Sequence, residues 1–123
     1  MKPMSTAATI KKELKKISDK DKAIQLMRFF KTGKGEYGEG DVFIGITVPD
    51  QRKIAKQFYG SELSEIEKLL QDPIHEYRLT ALLILTIKYK KADDDGKLKI
   101  VELYLANTSK INNWDLVDLS SPR

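Results

Sequence analysis

The stretch from Ile74 to about Tyr89 constrains the fold more than any other part of the chain. It carries Leu79, Ala81, Leu82, Leu83, Ile84, Leu85 and Ile87 almost in succession. Wound as a helix, that density places apolar groups on most sides, so neighbours must cover it on several faces. Asp72-Pro73 marks where such a helix begins.

Helical spacing runs through the rest of the chain, and β-branched alternation is hard to find, so the fold is expected to be all-α. A first helix is expected after Ser5, with Ala7, Ile10, Leu14 and Ile17 on one face and Lys11, Lys12, Lys15 and Lys16 around the rest. A second is expected after Ser18, burying Ala23, Ile24, Met27 and Phe30 and stopping near Gly33. Thr47 caps a third, with Pro49 in its first turn and Ile54, Ala55 and Phe58 buried. Ser64 and Glu67 have capping-box spacing in a short fourth helix whose buried side is Leu63, Ile66, Leu69 and Leu70. After the long apolar helix, the turn KKADDDGK leads to a sixth with Leu98, Val101, Tyr104 and Leu105 as its expected buried stripe. Asn112 or Asn113 can cap a seventh that begins at Trp114. Seven successive helices fit either a bundle or a solenoid of helix pairs, and no tight internal repeat chooses between them. The apolar residues Trp114, Leu116, Val117 and Leu119 of the last helix lack a following partner, so a fragment of a larger array is expected.

A chain of 123 residues is long enough for one core, and residues 1 to 123 are read as one domain. It has no run of 18 apolar residues and no signal-like start, so a soluble intracellular protein is expected. With no cysteine and a single histidine, disulfides, thiol nucleophiles and Cys or His metal sites are not expected. The net charge of +4 is uneven: residues 1 to 34 hold ten Lys/Arg against three Asp/Glu, whereas residues 35 to 72 hold four against eight. A basic N-terminal third suits a polyanionic partner, although Lys-rich helices are also ordinary solvated surface. Residues 33 to 47, GKGEYGEGDVFIGIT, hold five of the seven glycines and form the one long irregular segment. Loops of this length in compact domains are usually functional. The segment lacks the Gly-Lys-Ser/Thr ending and the preceding strand of a phosphate loop.

Four segments together, FFKTGKGEYGEGDVFIGITVPDQR, DPIHEYRLTALLILTIKYKK, IVELYLANT and NNWDLVDLSSP, resemble the AlkD family of bacterial DNA glycosylases. The resemblance implies a right-handed superhelix of HEAT-like antiparallel helix pairs, an α-α solenoid, here truncated to its N-terminal half. It implies excision of purines alkylated at ring nitrogens, such as 3-methyladenine and 7-methylguanine, from double-stranded DNA. It further implies a monofunctional glycosylase acting as a cytoplasmic, nucleoid-associated bacterial monomer, without metal or cofactor. The family's Trp-Asp-x-x-Asp motif matches Trp114, Asp115, Leu116, Val117 and Asp118.

On a helix, positions 114 and 118 lie about 40° apart and one turn along, whereas 115 is rotated by about 100°. An N-alkylated purine is cationic, and its departure leaves an oxocarbenium-like sugar, so a fixed carboxylate gains attraction as the charge develops. Asp118 is therefore the residue expected to stabilise that charge and orient water, and Trp114 to position the lesion through its π-face, worth about 0.5 to 2 kcal/mol. The cationic leaving base needs no general acid. Without the resemblance, Trp114 reads as a core aromatic and Asp118 as a solvated carboxylate. Asp115 suits the positive end of its helix better than catalysis.

Tyr37, Lys31 and Lys34 in and beside the glycine-rich segment, together with Arg52 and Arg78, are candidate DNA contacts. The His75-Glu76-Tyr77-Arg78 segment reads equally as a hydrogen-bond cluster between repeats, and His75 has no second residue with which to bind a metal. The resemblance implies that later repeats supply a second tryptophan and an arginine to the site. The alternative function is a non-catalytic helical-repeat module that binds DNA or protein.

Overall fold

The computed structural model describes residues 6–29 and 42–107. Within them lie six helices: α1 (Ala7–Lys16), α2 (Lys20–Phe29), α3 (Val48–Phe58), α4 (Leu63–Leu70), α5 (His75–Lys91) and α6 (Asp94–Ala106). The only β-type pairing among the described residues is an isolated bridge between Val42 and Ile74. The described residues are all-helical apart from that bridge, in keeping with a fold of stacked helix pairs. The seventh helix expected at Trp114 falls outside the described residues.

α5 lies at the centre, as its composition requires. Every residue from His75 to Leu85 is buried. α3 and α4 make its most extensive contacts, α6 covers a further side, and α1 packs on α3 and α4. Leu79, Leu82 and Ile84 are at most 1% exposed, and removing each from water contributes roughly 1.5–3 kcal/mol. The surrounding layer supplies Ile10 and Leu14 from α1, Ala55 and Phe58 from α3, Ile66, Leu69 and Leu70 from α4, and Ile100 from α6.

Helix starts follow from local polar chemistry. The Thr47 hydroxyl accepts from the Asp50 N–H at the head of α3, and Pro49 sits where no intrahelical donor is needed. Asp93 caps α6 by accepting from the Gly96 N–H. α1 is capped by Thr6, whose oxygen accepts from the Thr9 N–H. At α2 the cap comes from Asp19 rather than Ser18: its carboxylate accepts from the N–H groups of Asp21 and Lys22. The Ser18 hydroxyl instead turns back to the Lys15 carbonyl.

Three expectations of helix chemistry are corrected. α4 begins two residues earlier than a Ser64 capping box requires: Glu62 is its cap, without a side-chain hydrogen bond, and Ser64 is already helical. The Ala7 N–H of α1 bonds to the side chain of Glu65 in α4's first turn, so the carboxylate there serves a neighbouring helix. Ile17 and Ile24 are 42% and 47% exposed rather than buried, because α1 ends at Lys16 and α2 makes few described contacts with the other helices. In α6 the buried side is Ile100 with Leu103 and Tyr104 partly covered, while Leu98, Val101 and Leu105 point outward.

A buried carboxylate ties the irregular segment into this scaffold. Glu76, in the first turn of α5, is 1% exposed and accepts from the backbone N–H groups of Ile44 (3.1 Å), Gly45 (2.8 Å) and Ile46 (3.2 Å). Burial of a charge is tolerable only with such compensation. Gly45 adopts φ +84°, and a Cβ there would collide with the carbonyl oxygen of Asp19. Both the backbone conformation and the close approach therefore demand glycine. Gln51, also buried, donates to the Ile46 carbonyl and is met by the Thr80 hydroxyl at 3.3 Å.

Glu76→Ala would leave three N–H groups without their acceptor and should cost about 3 kcal/mol or more. Glu76→Gln, which keeps one acceptor oxygen, should cost less. Urea unfolding checks the order, and an alanine variant within 1 kcal/mol of wild type would contradict it. Glu65 behaves differently with pH. The Lys68 ammonium, followed by the Ala7 N–H, holds its carboxyl below the ordinary 4.5. A carboxyl lowered in the folded state contributes stability above its unfolded value and loses it as pH falls through the folded one. Glu65→Gln should flatten the decline in thermal stability below about pH 4.5, and an unchanged acid limb would contradict the role.

Candidate nucleic-acid interface

The segment from Val42 to Thr47 joins the head of α5 to the head of α3. His75 donates its backbone N–H to the Val42 carbonyl at 2.7 Å, and its ring stacks on Phe43 with centroids 4.3 Å apart. The Asp19 N–H bonds the Ile44 carbonyl at 3.0 Å, which brings the start of α2 to the same place. Three helix starts thus converge on one short stretch of backbone. The 33-to-47 segment was singled out by its glycines, and its described end is held rigidly rather than left as a loose loop.

The HEYR stretch makes a hydrogen-bond cluster. Glu76 serves the irregular segment, and Arg78 is 5% exposed with one guanidinium nitrogen donating to the Asp72 carbonyl at 2.9 Å. The Tyr77 hydroxyl reaches the Lys11 carbonyl at 3.4 Å. Desolvation, and then the negative charges of Asp72 and Glu76, push the Tyr77 phenol above its ordinary value. Among the two arginine candidates, only Arg52 lies exposed, on α3. Tyr37, Lys31, Lys34, Trp114, Asp115 and Asp118 lie outside the described residues.

The lysines of α1 divide by position. Ala7, Ile10 and Leu14 face the core, whereas Lys12, Lys15 and Lys16 occupy the opposite face, within about 100° of one another. Lys12 and Lys15 are exposed; Lys16 pairs with Glu13 at 2.7 Å. Lys11, at the edge, is committed to the interior architecture: its ammonium is 2.6 Å from Asp72 and 5.7 Å from the Tyr77 ring centre. On α2, Lys20, Lys22 and Arg28 are exposed. The outer side of α1 is therefore basic, and α2 adds exposed cations spread around its axis.

A second set of cations lies at the far end of α5. Lys91 rests over the Tyr59 ring and Lys97 over the Tyr89 ring, each at 5.3 Å. Lys88 donates to the Tyr59 carbonyl at 3.1 Å, and burial lowers its ammonium below the ordinary value. Lys88 and Lys91 lie in the last turn of α5, at the negative end of its dipole, and Lys97 of α6 is accounted for by its ring contact. No group of three His, Cys, Asp or Glu side chains suited to a metal occurs among the described residues. No described helix is long and apolar enough to cross a membrane.

Sequence reasoning missed Glu76 and Gln51 as organising residues. The available signal for Glu76 was an acid in the first turn of a helix dense enough in apolar residues to be enclosed, since such a group is retained in a core only when several donors meet it. Gln51, between Asp50 and Arg52, carries no comparable signal.

The arrangement offers a basic outer face on α1, exposed cations on α2, an exposed Arg52, and a rigid anchor for the glycine-rich segment. No curated protein and no solved structure matches the chain. The family described as DNA alkylation repair enzyme matches residues 10–123. That match takes in α1 from Ile10 onward, the whole of α2 to α6 and the Trp114 to Asp118 motif, and the chain belongs to the DNA alkylation repair enzyme family.

Proposed function

We propose that the protein is a DNA glycosylase that releases cationic N3- or N7-alkylated purines, such as 3-methyladenine and 7-methylguanine, from duplex DNA. The observation that carries this reading is the sequence Trp114-Asp115-Leu116-Val117-Asp118 within a chain of the DNA alkylation repair family. Asp118 is the catalytic carboxylate: it stabilises positive charge as it develops on the sugar and orients the attacking water. Trp114, four positions earlier in the sequence, offers its indole to the cationic nucleoside. Proton donation to the leaving group is unnecessary, because the alkylated base departs neutral from a cationic nucleoside.

Affinity comes from the phosphate backbone. Lys12, Lys15, Lys20, Lys22 and Arg28 supply exposed charge on α1 and α2, and Arg52 adds to it from α3. Lys31, Lys34 and Tyr37 are further proposed contacts from the glycine-rich side. Arg78, with its inward hydrogen bond, is assigned to architecture before phosphate binding.

Reversing Lys12, Lys15 and Lys16 to Glu should weaken duplex binding at low salt by about tenfold or more and reduce the salt dependence of what remains, since each phosphate contact contributes a slope of roughly −0.9 in log affinity against log salt. Lys11 is left intact in that variant so that its Asp72 pair survives. Fluorescence anisotropy at rising salt reads the effect, and an unchanged affinity would make this face ordinary solvated surface.

In the full-length protein, Asp118→Asn should slow single-turnover release of 7-methylguanine by a factor on the order of 100 or more while leaving duplex affinity nearly unchanged. Trp114→Ala should reduce release less, because it removes positioning and a cation-π contact rather than the principal charge. Undiminished release by the Asp118→Asn protein would remove this carboxylate from the mechanism and favour a binding module.

A further inference from the structure

Two tyrosine rings lie at the surface where the end of α3, the end of α5 and the start of α6 meet. Tyr59, the C-cap of α3, is 39% exposed, and Tyr89, near the end of α5, is 36% exposed. Each ring has an ammonium over it: Lys91 of α5 at Tyr59 and Lys97 of α6 at Tyr89, both 5.3 Å from the ring centre. Lys88 completes the group by donating to the Tyr59 carbonyl at 3.1 Å. That bond sets the end of α3 against the end of α5, as residues 42 to 47 set their heads together. With 17 residues in α5, the group stands about 25 Å from that joint, at 1.5 Å of rise per residue.

The dipole of α5 favours cations here, and the ring contacts fix where two of them rest. Neither accounts for two rings left more than a third open to water. An exposed ring beside a fixed ammonium suits a flexible polyanion that carries flat groups at regular intervals: the ring supplies a stacking surface, and the ammonium meets the charge between one flat group and the next. Nucleic acid has both features, whereas an acidic peptide brings charge without the repeated planar groups. The rings also select the pairing state. In a duplex each base is covered above and below by its neighbours, so a surface tyrosine meets only backbone; in an unpaired strand the base faces are open. Charge here is modest: between residues 88 and 99 five lysines stand against three aspartates, of which Asp93 caps α6 and Asp94 and Asp95 are exposed. Stacking therefore has to supply much of the affinity.

We propose that Tyr59 and Tyr89, with Lys91 and Lys97, form a platform for an unpaired strand of nucleic acid, whose bases stack on the rings while the two ammonium groups meet adjoining phosphates. The platform uses none of the residues assigned to base release and none of the lysines of α1, so it stands or falls apart from the glycosylase reading.

The test uses the whole chain and a fluorescent oligothymidylate of about 15 nucleotides, a length on the scale of known single-strand sites. Binding at low salt is expected, and its absence overturns the proposal. Tyr59→Leu and Tyr89→Leu, which keep an apolar side chain, should each weaken that binding by about fivefold or more while leaving affinity for a blunt duplex unchanged. An equal loss on both ligands overturns the selectivity for unpaired bases. Asp94→Asn with Asp95→Asn should tighten oligothymidylate binding, and no change contradicts phosphate at this end of α5. Polyglutamate that competes as well as the oligonucleotide at matched charge also overturns the proposal and makes the surface one for acidic protein. Photocrosslinking needs no variant: with iodouracil in place of thymine in the strand, crosslinks should map by peptide mass analysis to Tyr59 or Tyr89. Crosslinks confined to α1 or α2 overturn the platform, whatever the substitutions do to folding.

Discussion

The Glu76 carboxylate is the interaction on which the rest of the structure depends. A charged oxygen pair in a core is costly unless several donors meet it, and three consecutive backbone N–H groups, from Ile44 to Ile46, do so here. The result is a joint. α5 contributes the acid, the irregular segment contributes the donors, and Thr47, the next residue along, starts α3. α2 joins the same point through the Asp19 contacts with Ile44 and Gly45. Without that carboxylate, the amides of this segment would lose their acceptor, and the starts of three helices would lose their common reference.

Around the joint, α5 sets the layering. A helix buried from His75 to Leu85 has to be enclosed, and α3, α4 and α6 enclose it with α1 behind them. Charge is then sorted by distance from this core. Lys11 is drawn in by Asp72 and Tyr77, and the remaining N-terminal lysines stay on the outside of α1 and α2, where a polyanion is accessible. The basic N-terminal third is thus partly architecture and partly surface, a division that no count of charges contains.

Much of this was legible in the sequence. Thr47 with Pro49 gave the head of α3 because capping is local chemistry, and the central position of α5 followed from apolar density alone. The misplaced expectations share a cause. Leu98, Val101 and Leu105 were assigned inward because they are apolar at helical spacing, but α6 carries two such stripes and periodicity does not say which meets α5. Ile24 has the same ambiguity on α2. Ser64 and Glu67 have the spacing of a capping box without its position, since the chain is already helical at Leu63. Glu76 was grouped with its neighbours as a cluster, while its role as acceptor for residues 44 to 46 depends on a contact thirty positions away. The assignment of Trp114 and Asp118 rests on family resemblance alone, since a tryptophan and an aspartate at that spacing are common on ordinary helices, and both lie outside the described residues.

Membership in the DNA alkylation repair family, the basic outer face of α1 and the Trp114-Asp115-Leu116-Val117-Asp118 sequence support the central proposal, that this protein breaks the bond between sugar and alkylated base. The most direct test is chromatographic analysis of what the wild-type, full-length protein releases from duplex DNA carrying 7-methylguanine, with enzyme in excess. The account predicts free 7-methylguanine appearing together with an equal amount of abasic sites. Binding to the same duplex without release of the free base would contradict it.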